Sequence, residues 1–117
     1  MKEEEHNLQV ECVTWFRWQY RDIAKLLFAV PNGGARSQVT GAKMKAEGVT
    51  AGVADLLLLI PNAHHHCLAI EMKTKVGRQS PAQKEWQQIA ESHGVRYVVA
   101  RNVADFIHYV SEYLRDK

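Results

Sequence analysis

The sequence predicts an α/β protein in which a mixed β-sheet is flanked by helices. Short apolar segments typical of strands alternate along the chain with amphipathic segments of helical period. The segment from Cys67 to Arg101 has the order strand, helix, strand, which makes its two strands parallel with a right-handed crossover. The link between Ile60 and Cys67 is too short for a crossover, so the strands that it joins are predicted to be antiparallel.

The first half of the chain predicts a helix, a strand and a second helix. Apolar residues recur at helical spacing from Glu4 to Tyr20. The run Leu26–Val30 is apolar and stops at Pro31-Asn-Gly-Gly34, as expected for a buried strand that ends in a turn. A shorter helix is predicted from Val39 to Glu47, ending at Gly48.

The second half predicts two strands, a helix, a strand and a final helix. Four consecutive leucines indicate that the first of these strands is buried on both faces. Ser80 and Pro81 are typical of a helix start, since serine caps and proline suits the first helical position. The predicted order is therefore α-β-α-β-β-α-β-α, and the bounds in this half are Ala54–Ile60, Cys67–Lys73, Pro81–His93, Val95–Arg101 and Asn102–Leu114.

Length and composition exclude several classes of protein. The 117 residues, 46% hydrophobic and 24% charged, predict a single globular domain over residues 1–117. No apolar run approaches the roughly 20 residues of a membrane span, and the acidic start is unlike a targeting peptide. Cys12 and Cys67 lie far apart, which fits a reduced, cytoplasmic protein better than a disulfide scaffold.

Charge is informative through its distribution, because the net charge is only +2. One group of cations, Arg36, Lys43 and Lys45, contains no acid. A second group, which follows the strand from Cys67, also contains none: Lys73, Lys75 and Arg78. Solvated surface is the simplest interpretation of both groups.

The predicted hairpin brings two acids and a lysine to one end of the sheet. With the turn centred between Ala63 and His64, Asp55 lies opposite Met72, to within about one or two residues. Glu71 and Lys73 flank that position on one face of their strand, because strand side chains alternate. Asp55, Glu71 and Lys73 are therefore expected to converge.

Two interpretations of this cluster follow from the residues. Lys73 can simply pair with Glu71 at the sheet edge, as many surface charges do. Alternatively, two carboxylates beside a backbone carbonyl supply the hard oxygen ligands that Mg²⁺ or Mn²⁺ prefers. Such an ion lowers the pKa of its water and neutralises charge on a phosphodiester, while a nearby lysine orients that water.

The order of several short motifs resembles a known nuclease family. Asp55 followed by Glu71-Met-Lys73 resembles the D…E-x-K signature of the PD-(D/E)xK nucleases. Together with Pro31-Asn-Gly-Gly-Ala-Arg36, Lys45-Ala-Glu-Gly-Val-Thr-Ala-Gly52 and Ser80-Pro-Ala-Gln83, it resembles the VRR-NUC family in its stand-alone form. The resemblance implies a restriction-endonuclease-like fold with an αβββαβ core, which matches the predicted element order.

The resemblance also implies roles for individual residues. Asp55 and Glu71 become metal ligands with the Met72 carbonyl, for Mg²⁺ or Mn²⁺, and Lys73 becomes the catalytic lysine. Glu11 on the first helix matches the family's additional acid, as a further catalytic residue and candidate ligand, and Gln83 matches a glutamine near the scissile phosphate. The proline that normally precedes the aspartate is Ala54 here, which removes no reactive group.

The expected activity is a divalent-metal-dependent DNA endonuclease. The resemblance implies branched DNA such as a four-way junction as substrate and a homodimer as the assembly, with no organic cofactor and no membrane partner. The expected DNA contacts are Arg36, Lys43, Lys45, Lys75 and Arg78. A nicking or restriction-type endonuclease on duplex DNA and a non-catalytic DNA-binding module remain alternatives.

The run His64-His-His66 is conspicuous but is not predicted to hold a metal ion. Adjacent histidines on a short loop cannot all point at one ion, and no neighbouring cysteine or acid completes a tetrahedral set. An exposed turn is expected instead.

Overall fold

The predicted alternation of helices and strands is present in the computed structural model, which describes residues 3–31 and 38–117. A 3₁₀ helix, Arg21–Leu26, adds one element that the sequence pattern did not predict. In chain order the helices are α1 (Glu3–Gln19), α2 (Gln38–Ala46), α3 (Pro81–Ser92) and α4 (Val103–Arg115), and the strands are β1 (Leu27–Ala29), β2 (Leu56–Leu58), β3 (Cys67–Met72) and β4 (Val95–Ala100).

The four strands form one mixed sheet in the order β1-β2-β3-β4. Strand β2 pairs antiparallel with β1 and with β3, whereas β3 and β4 are parallel and are connected through α3. This arrangement confirms the predicted fold class and the predicted strand–helix–strand unit.

The register of the β2–β3 hairpin is offset by one residue from the predicted pairing, within the one or two residues allowed for it. Leu56 pairs with Ile70 and Leu58 with Leu68, so Asp55, which precedes β2, comes level with Glu71 rather than Met72. The turn is asymmetric because the side chain of Asn62 accepts hydrogen bonds from the backbone N–H groups of His64 and His65. A turn centred on one residue shifts the whole pairing relative to one centred between two residues.

Strands β1 and β2 are also shorter than predicted, by residues at both ends. The 3₁₀ helix takes up the chain as far as Leu26, which leaves three residues for β1. The strand buried most completely is β3, in which every residue from Leu68 to Met72 is buried.

The sheet separates two apolar clusters. On one face α1 and α4 cover β2 and β3, and the largest side chains there include Phe16, Phe106 and Ile70. On the other face a smaller cluster contains Ala69 and Tyr97 and packs against Trp86 of α3. Because strand side chains alternate, Glu71 lies on the α3 face with Ala69, while Ile70 and Met72 face the larger cluster.

Gly52 allows close packing between the segment before β2 and the first turn of α3. Its φ of +87° lies in the left-handed region, and a Cβ atom built there would overlap the carbonyl group of Ala82. Gly48 has a comparable φ of +106° but open space around the Cβ position. A side chain at position 48 would therefore cause backbone strain alone, whereas one at position 52 would cause backbone strain and steric overlap together.

We expect Gly52→Ala to destabilise the fold more than Gly48→Ala. Gly48→Ala should cost about 1 kcal/mol through the left-handed backbone alone. Gly52→Ala should cost about 3 kcal/mol, because α3 must also move away. Urea unfolding monitored by circular dichroism measures both values, and equal losses in the two variants would contradict the packing described.

Candidate active site

Asp55 and Glu71 meet at the end of the β2–β3 hairpin. The Asp55 Oδ2 atom accepts a hydrogen bond of 2.6 Å from the backbone N–H of Met72. This bond fastens the Asp55 carboxyl group to the end of β3, one residue beyond Glu71. The predicted convergence of the two acids is therefore present, through the register that the structure has.

Glu71 is completely buried, which is rare for an acid. Its Oε1 atom accepts hydrogen bonds from the Tyr97 hydroxyl group and from Gln79 Nε2, the latter at 3.0 Å. Its Oε2 atom is buried and has no hydrogen-bond partner. The two oxygens of the Glu71 carboxyl group therefore differ: Oε1 accepts two hydrogen bonds, whereas Oε2 accepts none.

Lys73 places a positive charge close to Glu71 Oε2, the oxygen that has no hydrogen bond. Its Nζ atom lies 3.7 Å from Glu71 Oε2, and its side chain is only 13% exposed. The pair is therefore an enclosed one rather than the surface ion pair of the simpler interpretation. At that distance the ammonium group attracts the carboxylate without forming a hydrogen bond to it.

Asp55 titrates in an environment that resists its ionisation. Burial is the largest cause that raises its pKa, followed by the charges of Glu71 and of Glu5, while the Met72 N–H and Lys73 act to lower it. The raising effects win, so the pKa of Asp55 lies above the ordinary 3.8. A divalent cation between the acids would reverse this balance.

The donor set fits a small, hard divalent cation. Glu71 Oε2 is a buried polar atom without a partner, and such atoms in native proteins call for an explanation, an ion among them. Carboxylate oxygens are ligands of Mg²⁺ and Mn²⁺. Within residues 3–31 and 38–117 no three His, Cys, Asp or Glu side chains are grouped closely enough to hold a metal ion. An ion here would therefore need backbone carbonyl, water or phosphate oxygens as well.

On α1, the charge of Glu5 reaches this cluster, while the role expected for Glu11 stays a prediction. Glu11 is exposed, and the interaction found for its charge is with Cys12. Glu5 is partly buried, and its charge contributes to the raised pKa of Asp55. The signal was available in the sequence, because Glu5 lies two helical turns before Cys12 and so shares the buried face of α1.

Gln83 caps the start of α3, and a different glutamine, Gln79, contacts Glu71. Gln83 completes a capping box with Ser80: its Oε1 accepts from the Ser80 N–H at 2.8 Å, and its own N–H donates to the Ser80 hydroxyl. Its expected position near a scissile phosphate stays a prediction. Gln79, which sequence reasoning missed, is the glutamine that contacts Glu71.

Four of the five cations predicted to contact DNA lie in the described residues. Lys43 and Lys45 are exposed on α2, and Lys75 and Arg78 are exposed on the segment between β3 and α3. Arg36 lies outside the described residues. The four described cations are exposed, and their contact with DNA stays a prediction.

Arg101 fixes the segment that carries Lys75 and Arg78. Its Nη1 atom donates hydrogen bonds to the carbonyl oxygens of Thr74, at 2.8 Å, and of Gly77, at 2.7 Å. The sequence contains no local signal for this contact, since the partners are more than 20 residues away.

The histidine run forms part of the β2–β3 turn, as expected. His64 lies 3.7 Å from Asp116, and the His65 ring lies beside Tyr113. The His66 ring lies beside Gly94 instead, so the three side chains have separate surroundings.

Comparison with known proteins agrees with this fold. A solved structure described as a "VRR_NUC domain protein" superposes with a TM-score of 0.85 at 26% identity, over 99% of this chain and 92% of that one. The family profile of the VRR-NUC domain matches residues 1–104. No curated protein matches the chain.

The fold, the acid–lysine cluster and the family match together identify the kind of protein. The mixed α/β sheet with its D…E-x-K cluster is that of a nuclease domain with the restriction-endonuclease-like fold. The chain belongs to the VRR-NUC family, whose profile covers most of its length. The resemblance drawn from the sequence motifs is confirmed.

Among the described residues, no helix is long and apolar enough to cross a membrane.

We expect Asp55→Asn to stabilise the metal-free protein at neutral pH. Because the pKa of Asp55 is raised on folding, its contribution to stability is full below the ordinary 3.8 and is lost as pH rises through the raised value. Asparagine cannot ionise, so the variant does not lose this stability as the pH rises. Its side-chain oxygen can still accept the hydrogen bond from the Met72 N–H. The melting temperature of Asp55→Asn in EDTA at pH 7 should therefore be higher than that of the wild type.

The same variant tests the metal site. Mn²⁺ should raise the melting temperature of the wild type, since a ligand that binds only the native state stabilises it. It should not raise that of Asp55→Asn. A variant that is less stable than the wild type in EDTA at pH 7, or one that Mn²⁺ stabilises equally, would contradict this account.

Proposed function

We propose that the protein is a Mg²⁺- or Mn²⁺-dependent DNA endonuclease. The observation that carries the proposal is Glu71 Oε2, a fully buried carboxylate oxygen without a hydrogen bond, beside Asp55 and Lys73. A structural core does not need a bare acid at this position. A nuclease of this family does need oxygen ligands for a cation near a lysine.

The proposed ligands are the carboxylates of Asp55 and Glu71 and the backbone carbonyl of Met72. A bound Mg²⁺ would supply positive charge to the phosphodiester and lower the pKa of a water molecule. This chain's own contribution is to orient the ligands: the Met72 N–H holds the Asp55 carboxyl group, and burial holds Glu71 in one position.

Lys73 is proposed to hold the attacking water. Its ammonium group is restricted by the Glu71 carboxylate and has little access to solvent, so it is pre-positioned rather than mobile. Attack of that water on phosphorus, in line with the leaving oxygen, forms one P–O bond and breaks the bond to the 3′ oxygen. The products are a 5′-phosphate and a 3′-hydroxyl group.

Branched DNA such as a four-way junction is the proposed substrate, and a homodimer is the proposed assembly. The family resemblance supports both. Two exposed pairs of cations, on α2 and on the segment that Arg101 fixes, offer phosphate contacts without a need to read bases. A two-fold dimer would present two such sites to two strands of a symmetric junction. A nicking endonuclease on duplex DNA would use the same catalytic residues.

Cleavage of labelled four-way junction, flap and linear duplex DNA tests the proposal. Junction cleavage should require Mg²⁺ or Mn²⁺, stop in EDTA and fall by about 100-fold or more in Lys73→Met. Lys25→Met, which removes an exposed lysine from the 3₁₀ helix, is the matched control and should cleave normally. Cleavage of duplex alone would support the nicking alternative, whereas DNA binding without any cleavage would support the non-catalytic one.

Glu5→Gln and Glu11→Gln decide which acid of α1 serves the site. The structure favours Glu5, because its charge reaches Asp55, so Glu5→Gln should slow cleavage by about tenfold at limiting metal. The motif-based assignment instead predicts that loss in Glu11→Gln. Rates at several Mn²⁺ concentrations, with melting temperatures as a check of folding, distinguish the two assignments.

A further inference from the structure

A chain of polar side chains surrounds the bonded oxygen of Glu71. Gln79 Nε2 donates to Glu71 Oε1 at 3.0 Å and to Gln87 Oε1 at 2.8 Å. Gln87 Nε2 donates in turn to Glu91 Oε2 at 3.3 Å. The Tyr97 hydroxyl group donates to the same Glu71 oxygen from β4. Three elements, β3, α3 and β4, are thus joined around one carboxyl group.

The orientation of the Gln79 amide follows from this chain. Gln87 presents its oxygen to Gln79 because its own nitrogen donates to Glu91. The Gln79 group that faces Glu71 is therefore the NH₂ group, with one hydrogen for Gln87 and one for Glu71. Tyr97 is held independently, with its ring packed beside Trp86 at a centroid distance of 6.0 Å.

Two donors leave the Glu71 oxygens unequal in what they can bind. A carboxylate oxygen has two lone-pair positions, and both positions of Oε1 are taken by Tyr97 and Gln79. Oε2, by contrast, has no hydrogen bond and faces Lys73. Glu71 can therefore offer one oxygen to a cation, but not both.

Single-oxygen ligation favours small cations over Ca²⁺. Ca²⁺ takes six to eight oxygens and often uses both oxygens of one carboxylate, whereas Mg²⁺ demands near-octahedral geometry from fewer protein ligands. We propose that Gln79 and Tyr97 are positioning residues that restrict Glu71 to ligation through Oε2 and so make the site select Mg²⁺ and Mn²⁺ against Ca²⁺. This inference rests on the proposed metal site of the nuclease.

Metal binding to the DNA-free protein tests the proposal without reference to cleavage. Titration calorimetry would give Mn²⁺ and Ca²⁺ dissociation constants for the wild type, Gln79→Leu, Tyr97→Phe and the double variant. Gln88→Leu is the matched control, because Gln88 is an exposed glutamine on α3. Melting temperatures in EDTA would report folding separately.

The ratio of the Ca²⁺ to the Mn²⁺ dissociation constant is the deciding quantity. Each single variant should bind Mn²⁺ about tenfold more weakly, the usual effect of removing a group that orients a ligand. Ca²⁺ affinity should stay equal or rise, so the ratio should fall about tenfold, while Gln88→Leu matches the wild type. An unchanged ratio, even with a lower melting temperature, would overturn the proposal and leave these residues a structural role.

Asp55→Asn separates this proposal from the proposed function. If that variant loses Mn²⁺ binding while Gln79→Leu and Tyr97→Phe keep the wild-type ratio, the metal site stands and the selectivity proposal fails. If Asp55→Asn binds Mn²⁺ as the wild type does, the metal site itself is wrong, and the selectivity proposal is overturned with it.

Discussion

Glu71 places a fully buried carboxyl group near the end of the inner strand β3, and the surrounding structure is arranged around it. Glu71 has no contact with solvent, and its neighbours along β3 are the apolar residues Ile70 and Met72. Burial of an uncompensated charge is so unfavourable that its neighbours must be polar or charged. Gln79, Tyr97 and Lys73 meet that requirement, but they leave one oxygen bare.

The topology explains how those neighbours come to Glu71 from distant parts of the chain. The antiparallel pairing of β2 with β3 brings Asp55 level with Glu71, and the parallel pairing of β3 with β4 places Tyr97 nearby. The crossover helix α3 then returns over the same face. The glycine at position 52 lets its first turn approach the segment before β2.

The features that local sequence patterns specify were predictable. The apolar segments, the short hairpin link and the serine cap of α3 led to the sheet topology and to the pair Asp55 and Glu71. These signals depend on neighbours in sequence, such as Ser80 with Gln83, whose capping box the structure contains. Roles for the site residues in catalysis stay predictions.

The features that depend on distances across the fold were not predictable in the same way. The observed register of β2 and β3 differs from the predicted pairing by one residue, because the turn between them is organised by a single side chain, that of Asn62. Gln79 and Tyr97 have no pattern that marks them, since their meeting point exists only after α3 packs on the sheet. Glu5 differs from these cases, because the helical period of α1 already placed it on the buried face and Glu11 off it.

Anomalous diffraction from a crystal of the protein soaked in Mn²⁺ would test the central claim most directly. We expect one strong peak in contact with Glu71 Oε2 and the Asp55 carboxyl group, with Gln79 and Tyr97 still bonded to Glu71 Oε1. A peak on the other oxygen of Glu71, at the histidine run or beside Glu11, with none between Asp55 and Glu71, would contradict it.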